Sequence, residues 1–128
     1  MTLERDNYCF ACGKDNPRGL KLDISFDAEK ASCEYTVPDD LQGWPKITHG
    51  GVISTMLDEM MVWAAAGLQK HVVTAELTIR FKKPLPVGKK ISLEARILED
   101  KKRIMTAQAK IFDSKDVYAE ASGKLIPA

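Results

Sequence analysis

Residues 49–68, HGGVISTMLDEMMVWAAAGL, form the longest apolar run in the chain. From Val52 to Leu68 the run is rich in Met, Leu and Ala and lacks proline, which predicts a helix buried on almost every side. Such a helix spans about 25 Å at about 1.5 Å per residue, the width of a small domain. It begins unusually, because His49-Gly50-Gly51 stands where a Ser, Thr, Asp or Asn cap is ordinary. Open amides at that end, together with the helix dipole, favour an oxyanion site.

Asp58 lies in the middle of this predicted helix. By the i, i+3, i+4 and i+7 spacing it shares one stripe with Gly51, Ser54 and Thr55. A carboxylate inside a buried helix is costly unless it is paired or lines a polar cavity. We therefore interpret Asp58 as a functional candidate, the alternative being a surface carboxylate in a salt bridge. Glu59 points about 100° away and is interpreted as a solvated or structural charge.

The composition limits the class of protein. The chain has 128 residues, which suits one domain, 1–128, with one sizeable core. Its formal net charge of +1 gives no reason to expect nucleic acid or an acidic membrane as a partner. Asp58 and Glu59 interrupt the apolar run, which argues against a membrane span. The N-terminal MTLERDNYCF contains no apolar signal region, so we expect a cytoplasmic location.

Residues 1–19 are predicted to be an irregular leader, whose main motif is Cys9-x-x-Cys12. This motif could be half of a zinc site, but structural zinc takes four ligands, usually as two pairs. The remaining cysteine and the two histidines are distant and unpaired in the sequence. We therefore interpret the motif as a knuckle turn that packs two thiols and Phe10 under the domain, and we predict no metal and no cofactor.

Alternating apolar residues predict six strands around the helix. Short turns join the last four, so neighbouring strands are expected to be antiparallel, in a curved sheet that wraps the helix. A sheet covers only one side of a helix, so we expect a second copy of the chain to cover the other side. The strands are predicted at 20–26, 31–37, 72–82, 90–99, 103–112 and 117–126.

The loop 38–48 leads into the helix and carries Gln42 and Trp44. Long loops that feed a buried helix often contact ligands. Two interpretations stay open, namely that these side chains line a pocket or that Trp44 covers the core.

The order of elements, together with Gln42-Gly43-Trp44-Pro45, His49-Gly50-Gly51 and an aspartate nine positions after the histidine, resembles the hotdog-fold acyl-CoA thioesterases. Within them it is most similar to the phenylacetyl-CoA thioesterase (PaaI-like) branch, from about residue 9 to residue 126. The resemblance implies an α+β hotdog fold, in which a six-stranded antiparallel sheet wraps one long central helix. It also implies an acyl-CoA substrate and no separate cofactor, since CoA is part of the substrate. Lys46 departs from the pattern, because relatives often have Gly there.

The resemblance implies a role for each site position. The backbone amides of Gly50 and Gly51 receive the thioester oxyanion, and His49 orients or polarises the carbonyl. Asp58 acts as general base for water or as a direct nucleophile, and Thr74 positions the water.

Thr74 and the basic end of its strand raise two further questions. Thr74 has the parity of the polar face, so either a bulge near Val73 turns it inward or the strand begins later. Arg80, Lys82 and Lys83 are candidates for binding the phosphates of CoA, the alternative being a solvated basic strand end.

The spacing of the site residues predicts a dimer. Gly51 and Asp58 lie about 10 Å apart along one helix, whereas oxyanion donor and base must each reach one carbonyl within about 3 Å. Two antiparallel helices, one from each subunit, solve this problem. We therefore predict a homodimer with two composite sites; a dimer of dimers stays open.

The expected function is hydrolysis of an acyl-CoA thioester to a free carboxylic acid and CoA. One alternative is a hotdog acyl-thioester dehydratase, but the Pro-rich helix entry of those similar folds is missing from the sequence. The other is a non-catalytic acyl-CoA binding or sensor module, although no DNA-binding segment flanks the predicted domain.

Overall fold

One long helix and six strands make up the fold, and the computed structural model describes residues 4–128. The first three residues of the predicted leader lie outside the described residues. A short 3-10 helix, Asp39–Leu41, lies in the loop before the long helix. The main elements are β1 Ser25–Phe26, β2 Ala31–Thr36, α1 Gly50–Ala66, β3 Val72–Phe81, β4 Lys90–Lys101, β5 Ile104–Phe112 and β6 Val117–Pro127.

All six strands form one antiparallel sheet in the order β1-β2-β4-β5-β6-β3. Short turns join β4 to β5 and β5 to β6, and each pair forms a hairpin, as the sequence predicts. The same prediction is wrong for β3 and β4, because β3 pairs with β6 whereas β4 lies between β2 and β5. Among the described residues β3 pairs only with β6, so a ten-residue strand forms one edge of the sheet. The predicted α+β class and the antiparallel sheet around one helix are confirmed.

The helix α1 packs its apolar side against the sheet and leaves another side less covered. Seven of its 17 residues are buried, and Met56, Leu57, Met60 and Met61 are fully enclosed. Thr55, Asp58 and Val62 form a half-buried stripe, so the expectation of a helix buried on almost every side is wrong for the single chain. Neither α1 nor any other helix in residues 4–128 is long and apolar enough to cross a membrane.

The predicted first strand, 20–26, is wrong for most of its length, because only its last two residues form β1. Leu20 and Leu22 are buried, as the alternation indicates. Their amides, however, donate to the carbonyl oxygens of Phe10 and Ala11, at 2.9 and 3.0 Å, and not to a neighbouring strand. The alternation of apolar residues here indicates that alternate side chains are buried against the core and the leader. An irregular segment can bury alternate side chains in the same way as a strand.

A bulge interrupts the start of β3. Thr74 is paired with Leu125 and Glu76 with Lys124, so Ala75 is an extra residue on this strand. The extra residue shifts the phase of side chains and turns Thr74 toward the helix. Of the two alternatives that the sequence left open, the later strand start is wrong, since β3 begins at Val72, and the bulge is present on the C-terminal side of Thr74.

The end of α1 touches the turn between β1 and β2. Gly67 follows the helix with φ −62° and ψ −22°, a backbone that any residue adopts. A Cβ at this position would lie 2.0 Å from the carbonyl oxygen of Asp27. Close approach, rather than backbone freedom, therefore requires glycine at position 67.

We predict that Gly67→Ala lowers the free energy of unfolding by about 1–3 kcal/mol, the usual effect of overpacking. Helix propensity alone would change stability by about 1 kcal/mol in the opposite direction. Urea unfolding followed by circular dichroism measures the difference. Gly50→Ala is the control, because a Cβ there meets only an ordinary contact, 3.6 Å from the Phe81 ring. Equal midpoints for Gly67→Ala and the native protein would contradict the prediction.

Candidate active site

His49 caps the N-terminus of α1 with its side chain. The ring Nδ1 accepts a hydrogen bond from the Gly51 amide at 2.8 Å, and the His49 carbonyl oxygen accepts from Val52 and Ile53 at 3.0 and 3.1 Å. A Cβ at position 51 would lie 3.1 Å from Nδ1, so a side chain there would press on the ring. A neutral imidazole that accepts at Nδ1 carries its proton on Nε2, and this proton is available to a ligand.

The two glycine amides have different surroundings. Among the hydrogen bonds of residues 4–128, none is donated by the Gly50 amide, whereas the Gly51 amide is engaged by His49. The prediction gave both amides to an oxyanion. In this geometry Gly50 provides a free donor, and the amide of Gly51 instead holds the imidazole in place.

Asp58 is hydrogen-bonded to Thr74. The Thr74 hydroxyl donates to Asp58 Oδ1 at 2.5 Å, and both residues are half-buried. Within the described residues Asp58 forms no salt bridge, so the alternative of a surface ion pair is wrong. The bulge after Thr74 creates this contact, since regular alternation would point the hydroxyl to the other face.

Two hydroxyls lie on the helix between the cap and the carboxylate. Ser54 Oγ donates to the Gly50 carbonyl and Thr55 Oγ1 to the Gly51 carbonyl, each at 2.9 Å. Both groups are thus satisfied within the helix. Asp58 is left as the ionisable group of this stripe.

The loop before the helix exposes its tryptophan. Trp44 is 82% exposed, so the interpretation that it covers the core is wrong. Gln42 Oε1 accepts from the Lys46 amide at 2.9 Å and closes the loop. Lys46 has φ +65°, in the left-handed region that favours glycine. The loop therefore has a backbone shape at position 46 that favours glycine, although lysine occupies the position.

The basic end of β3 lies apart from Asp58. Lys82 pairs with Glu120 at 3.2 Å, and Lys83 pairs with Asp116 at 2.5 Å. Arg80 alternates with residues that pack on the core, so it points to the outer face of the sheet, where it borders a cavity of about 420 Å³. The structure thus does not bring these three residues to the carboxylate.

Sequence reasoning missed one residue beside the cap. Thr48 is 4% exposed, and its hydroxyl has no hydrogen-bond partner among residues 4–128. A single threonine before a histidine carries no signal in the sequence that could have identified it.

The leader motif contacts the helix through Glu59. Cys9 Sγ lies 3.5 Å from Glu59 Oε2, which also accepts from Trp63 Nε1 at 3.0 Å. Of the two interpretations of Glu59, a solvated charge or a structural charge, its half-buried position favours the structural charge. Phe10 is 50% exposed, and its predicted packing under the domain is wrong. Burial, reinforced by the neighbouring Glu59 and Cys9, raises the pKa of the Cys12 thiol to about 12.

Comparison with known proteins supports the resemblance seen in the motifs. Acyl-coenzyme A thioesterase THEM4 of Bos taurus is 31% identical over 102 residues, which cover 78% of this chain and 42% of that protein. The chain therefore spans less than half the length of this relative.

Solved structures share the fold. The Escherichia coli PaaI protein from the phenylacetic acid degradation operon superposes with a TM-score of 0.78 at 23% identity, covering 84% of this chain and 83% of that one. The smu.793 protein of Streptococcus mutans, bound to acetyl CoA, gives a TM-score of 0.78 at 19% identity, covering 84% and 88%. Both likenesses confirm the hotdog fold.

The family model of the thioesterase superfamily matches residues 46–120, a range that includes the cap, the helix with Asp58 and the bulged strand. With more than half of its length matched, the chain belongs to the thioesterase superfamily.

Proposed function

We propose that this chain hydrolyses an acyl-CoA thioester to a carboxylic acid and free CoA. The observation that carries the proposal is the hydrogen bond from Thr74 to Asp58, because it holds a half-buried carboxylate on a helix whose N-terminus keeps a free amide. The acyl-coenzyme A thioesterase activity of THEM4 and the acetyl CoA bound to the Streptococcus mutans protein support the substrate class.

The N-terminus of α1 supplies the donors for the oxyanion. Within residues 4–128 neither the Gly50 amide nor His49 Nε2 donates a hydrogen bond, so both can bind it, and the helix dipole adds to their effect. The Gly51 amide fixes the imidazole, so His49 needs no reorganisation when charge develops on the thioester oxygen. This assignment replaces the pair of glycine amides with one amide and one imidazole.

Asp58 is proposed to activate water. Thr74 occupies Oδ1 and leaves Oδ2 to accept a proton from a water molecule as it attacks the thioester carbon. The C–S bond then breaks, and the proton passes to the sulfur of CoA. Direct attack by Asp58 would instead form a mixed anhydride, which water would hydrolyse in a second step.

One chain does not bring these groups to the same substrate atom. Gly50 and Asp58 belong to one continuous helix and are about 12 Å apart along its axis. β3 has a free edge, and Val73 and Phe81 on it are 38% and 56% exposed. A second copy paired along this edge would continue the sheet and cover the half-buried stripe of α1. We therefore propose a homodimer in which Gly50 of one subunit faces Asp58 of the other.

Three residues outside the catalytic group are proposed to bind the rest of the substrate. Trp44, an exposed indole on the loop that enters α1, offers an aromatic surface to the acyl group or to CoA. Lys82 and Lys83 can exchange their exposed ion pairs for a CoA phosphate at little cost, since such pairs contribute about 0–1 kcal/mol. Arg80 points to the outer face and is left out of the proposed site.

We predict that the chain releases thiol from at least one member of a panel of acyl-CoAs, and that Asp58→Asn lowers kcat about 10²–10⁴-fold by removing the base. Asp100→Asn, an exposed change in β4, is the control and should leave kcat unchanged. Tight binding without thiol release would favour the sensor alternative. A single turnover in heavy-oxygen water should leave Asp58 unlabelled; label on its carboxylate would identify a nucleophile.

Thr74→Val should lower both kcat and the free energy of unfolding, the latter by about 1–3 kcal/mol, because a half-buried carboxylate loses its donor. Thr74→Ser keeps the hydroxyl and should keep both quantities near the native values. Thiol release and urea unfolding measure the two effects. If valine and serine behave alike at this position, the hydrogen bond does not position Asp58.

Mixed subunits test the composite site. Gly50→Pro removes the free amide hydrogen at the first helical position, where proline fits, and His49 with ψ 136° suits a following proline. Asp58→Ala removes the base. Each variant alone should be inactive, whereas unfolding and refolding an equal mixture should restore about a quarter of the native rate, since half of the dimers then carry one intact site. An inactive mixture that still forms dimers would contradict a site shared between subunits.

A further inference from the structure

A second cluster of reactive side chains lies outside the proposed catalytic site. Cys9 and Cys12 come from the leader and Glu59 comes from α1. The two sulfurs and a carboxylate oxygen all lie within 4.8 Å of one another. Glu59 follows Asp58 directly, so it points about 100° away around the helix axis. The proposed hydrolysis uses none of these three groups.

We propose that Cys9, Cys12 and Glu59 bind a divalent cation of the zinc class. A tetrahedral zinc with Zn–S near 2.3 Å and Zn–O near 2.1 Å separates a sulfur ligand from an oxygen ligand by about 3.6 Å. Cys9 Sγ and Glu59 Oε2 are 3.5 Å apart. Two thiolates with one carboxylate favour zinc over magnesium or calcium, which prefer oxygen alone.

The turn of the motif is shaped to present its sulfurs. The amides of Ala11 and Cys12 donate to Cys9 Sγ, at 3.3 and 3.4 Å, and hold this sulfur in one orientation. The Gly13 amide closes the turn on the Cys9 carbonyl oxygen at 2.9 Å. A Cβ on Gly13 would lie 2.3 Å from the Cys9 amide nitrogen, so only glycine allows this turn.

The third ligand is oriented by its neighbour on the helix. Trp63 Nε1 donates to Glu59 Oε2 at 3.0 Å, one turn further along α1. A hydrogen bond of this kind fixes the orientation of a ligating carboxylate. The carboxylate is therefore held toward the sulfurs by a contact that does not depend on them.

A cavity leaves room for a fourth ligand. It has a volume of about 730 Å³ and is bordered by Cys9, Cys12 and Trp63. Three protein ligands with an open position suit a cation that completes its tetrahedron with water or a small ligand. On binding, the two thiols lose their protons to solvent, so uptake of one cation releases two protons.

Binding would join the leader to the helix. Two ligands lie on residues 9–12 and the third lies 50 positions after Cys9, so one cation closes a long loop. A cation that binds only the folded chain stabilises it by mass action.

Cobalt(II) titration of the reduced 128-residue chain tests the proposal, because thiolate-bound cobalt gives a charge-transfer absorption band. We expect one cobalt per chain, displaced by zinc, and a rise in Tm with either metal. Cys12→Ser and Cys9→Ser should lose the band, and Glu59→Gln should weaken binding by more than about tenfold. Cys33→Ala and Glu76→Gln are the matched controls, since Cys33 lies in β2 and Glu76 is exposed on β3.

A native chain without the band would overturn the proposal, as would a band that survives Cys12→Ser or disappears in Cys33→Ala. Native affinity in Glu59→Gln would overturn the three-ligand site. If the serine variants do not fold, alkylation of the native chain decides, with peptide mass spectrometry as readout. Zinc should slow alkylation of Cys9 and Cys12, and unchanged rates would count against the site. All these readouts are independent of thioester hydrolysis, so failure of one proposal leaves the other standing.

Discussion

The structure depends on the hydrogen bond between the Thr74 hydroxyl and the Asp58 carboxylate. A half-buried aspartate on a helix is tolerated when a donor meets it, and here the donor comes from a strand that has to break its alternation to supply it. The bulge that does so lies on β3, the edge of the sheet. The Thr74–Asp58 contact and the edge of the described sheet therefore belong to the same strand.

Much of the fold and part of the site follow from the sequence for local reasons. The helix is visible in its composition, and Asp58 stands out because its neighbours are apolar. An irregularity at Thr74 is also visible, since Thr74 conflicts with the parity of its strand, but the sequence left a bulge and a later strand start as equal explanations. These features depend on residues within a turn or two of one another, and at that range spacing determines direction.

The features that the sequence did not predict depend on contacts that residue spacing does not determine. Leu20 and Leu22 alternate like a strand, but their amides bond to the leader. The occupation of the Gly51 amide depends on the orientation of the His49 ring, which composition does not specify. Glu59 meets Cys9 across 50 positions, and Trp44 is exposed although it resembles a core residue. In each case the local sequence pattern allows several side-chain or backbone orientations, and tertiary contacts determine which one is adopted.

Two consecutive acidic residues on α1 contact different parts of the chain. Asp58 contacts the bulged strand, and Glu59 contacts the leader. A rigid helix couples the two directions, because adding or deleting one residue before them rotates both by about 100°. An insertion or deletion inside 51–58 would therefore break both the contact of Asp58 and the contact of Glu59. The irregular segment after the cysteine turn has no helical periodicity, so a change in its length would not rotate these side chains. Natural variation in chain length within this family should accumulate on the leader side and stop at the histidine that starts the helix.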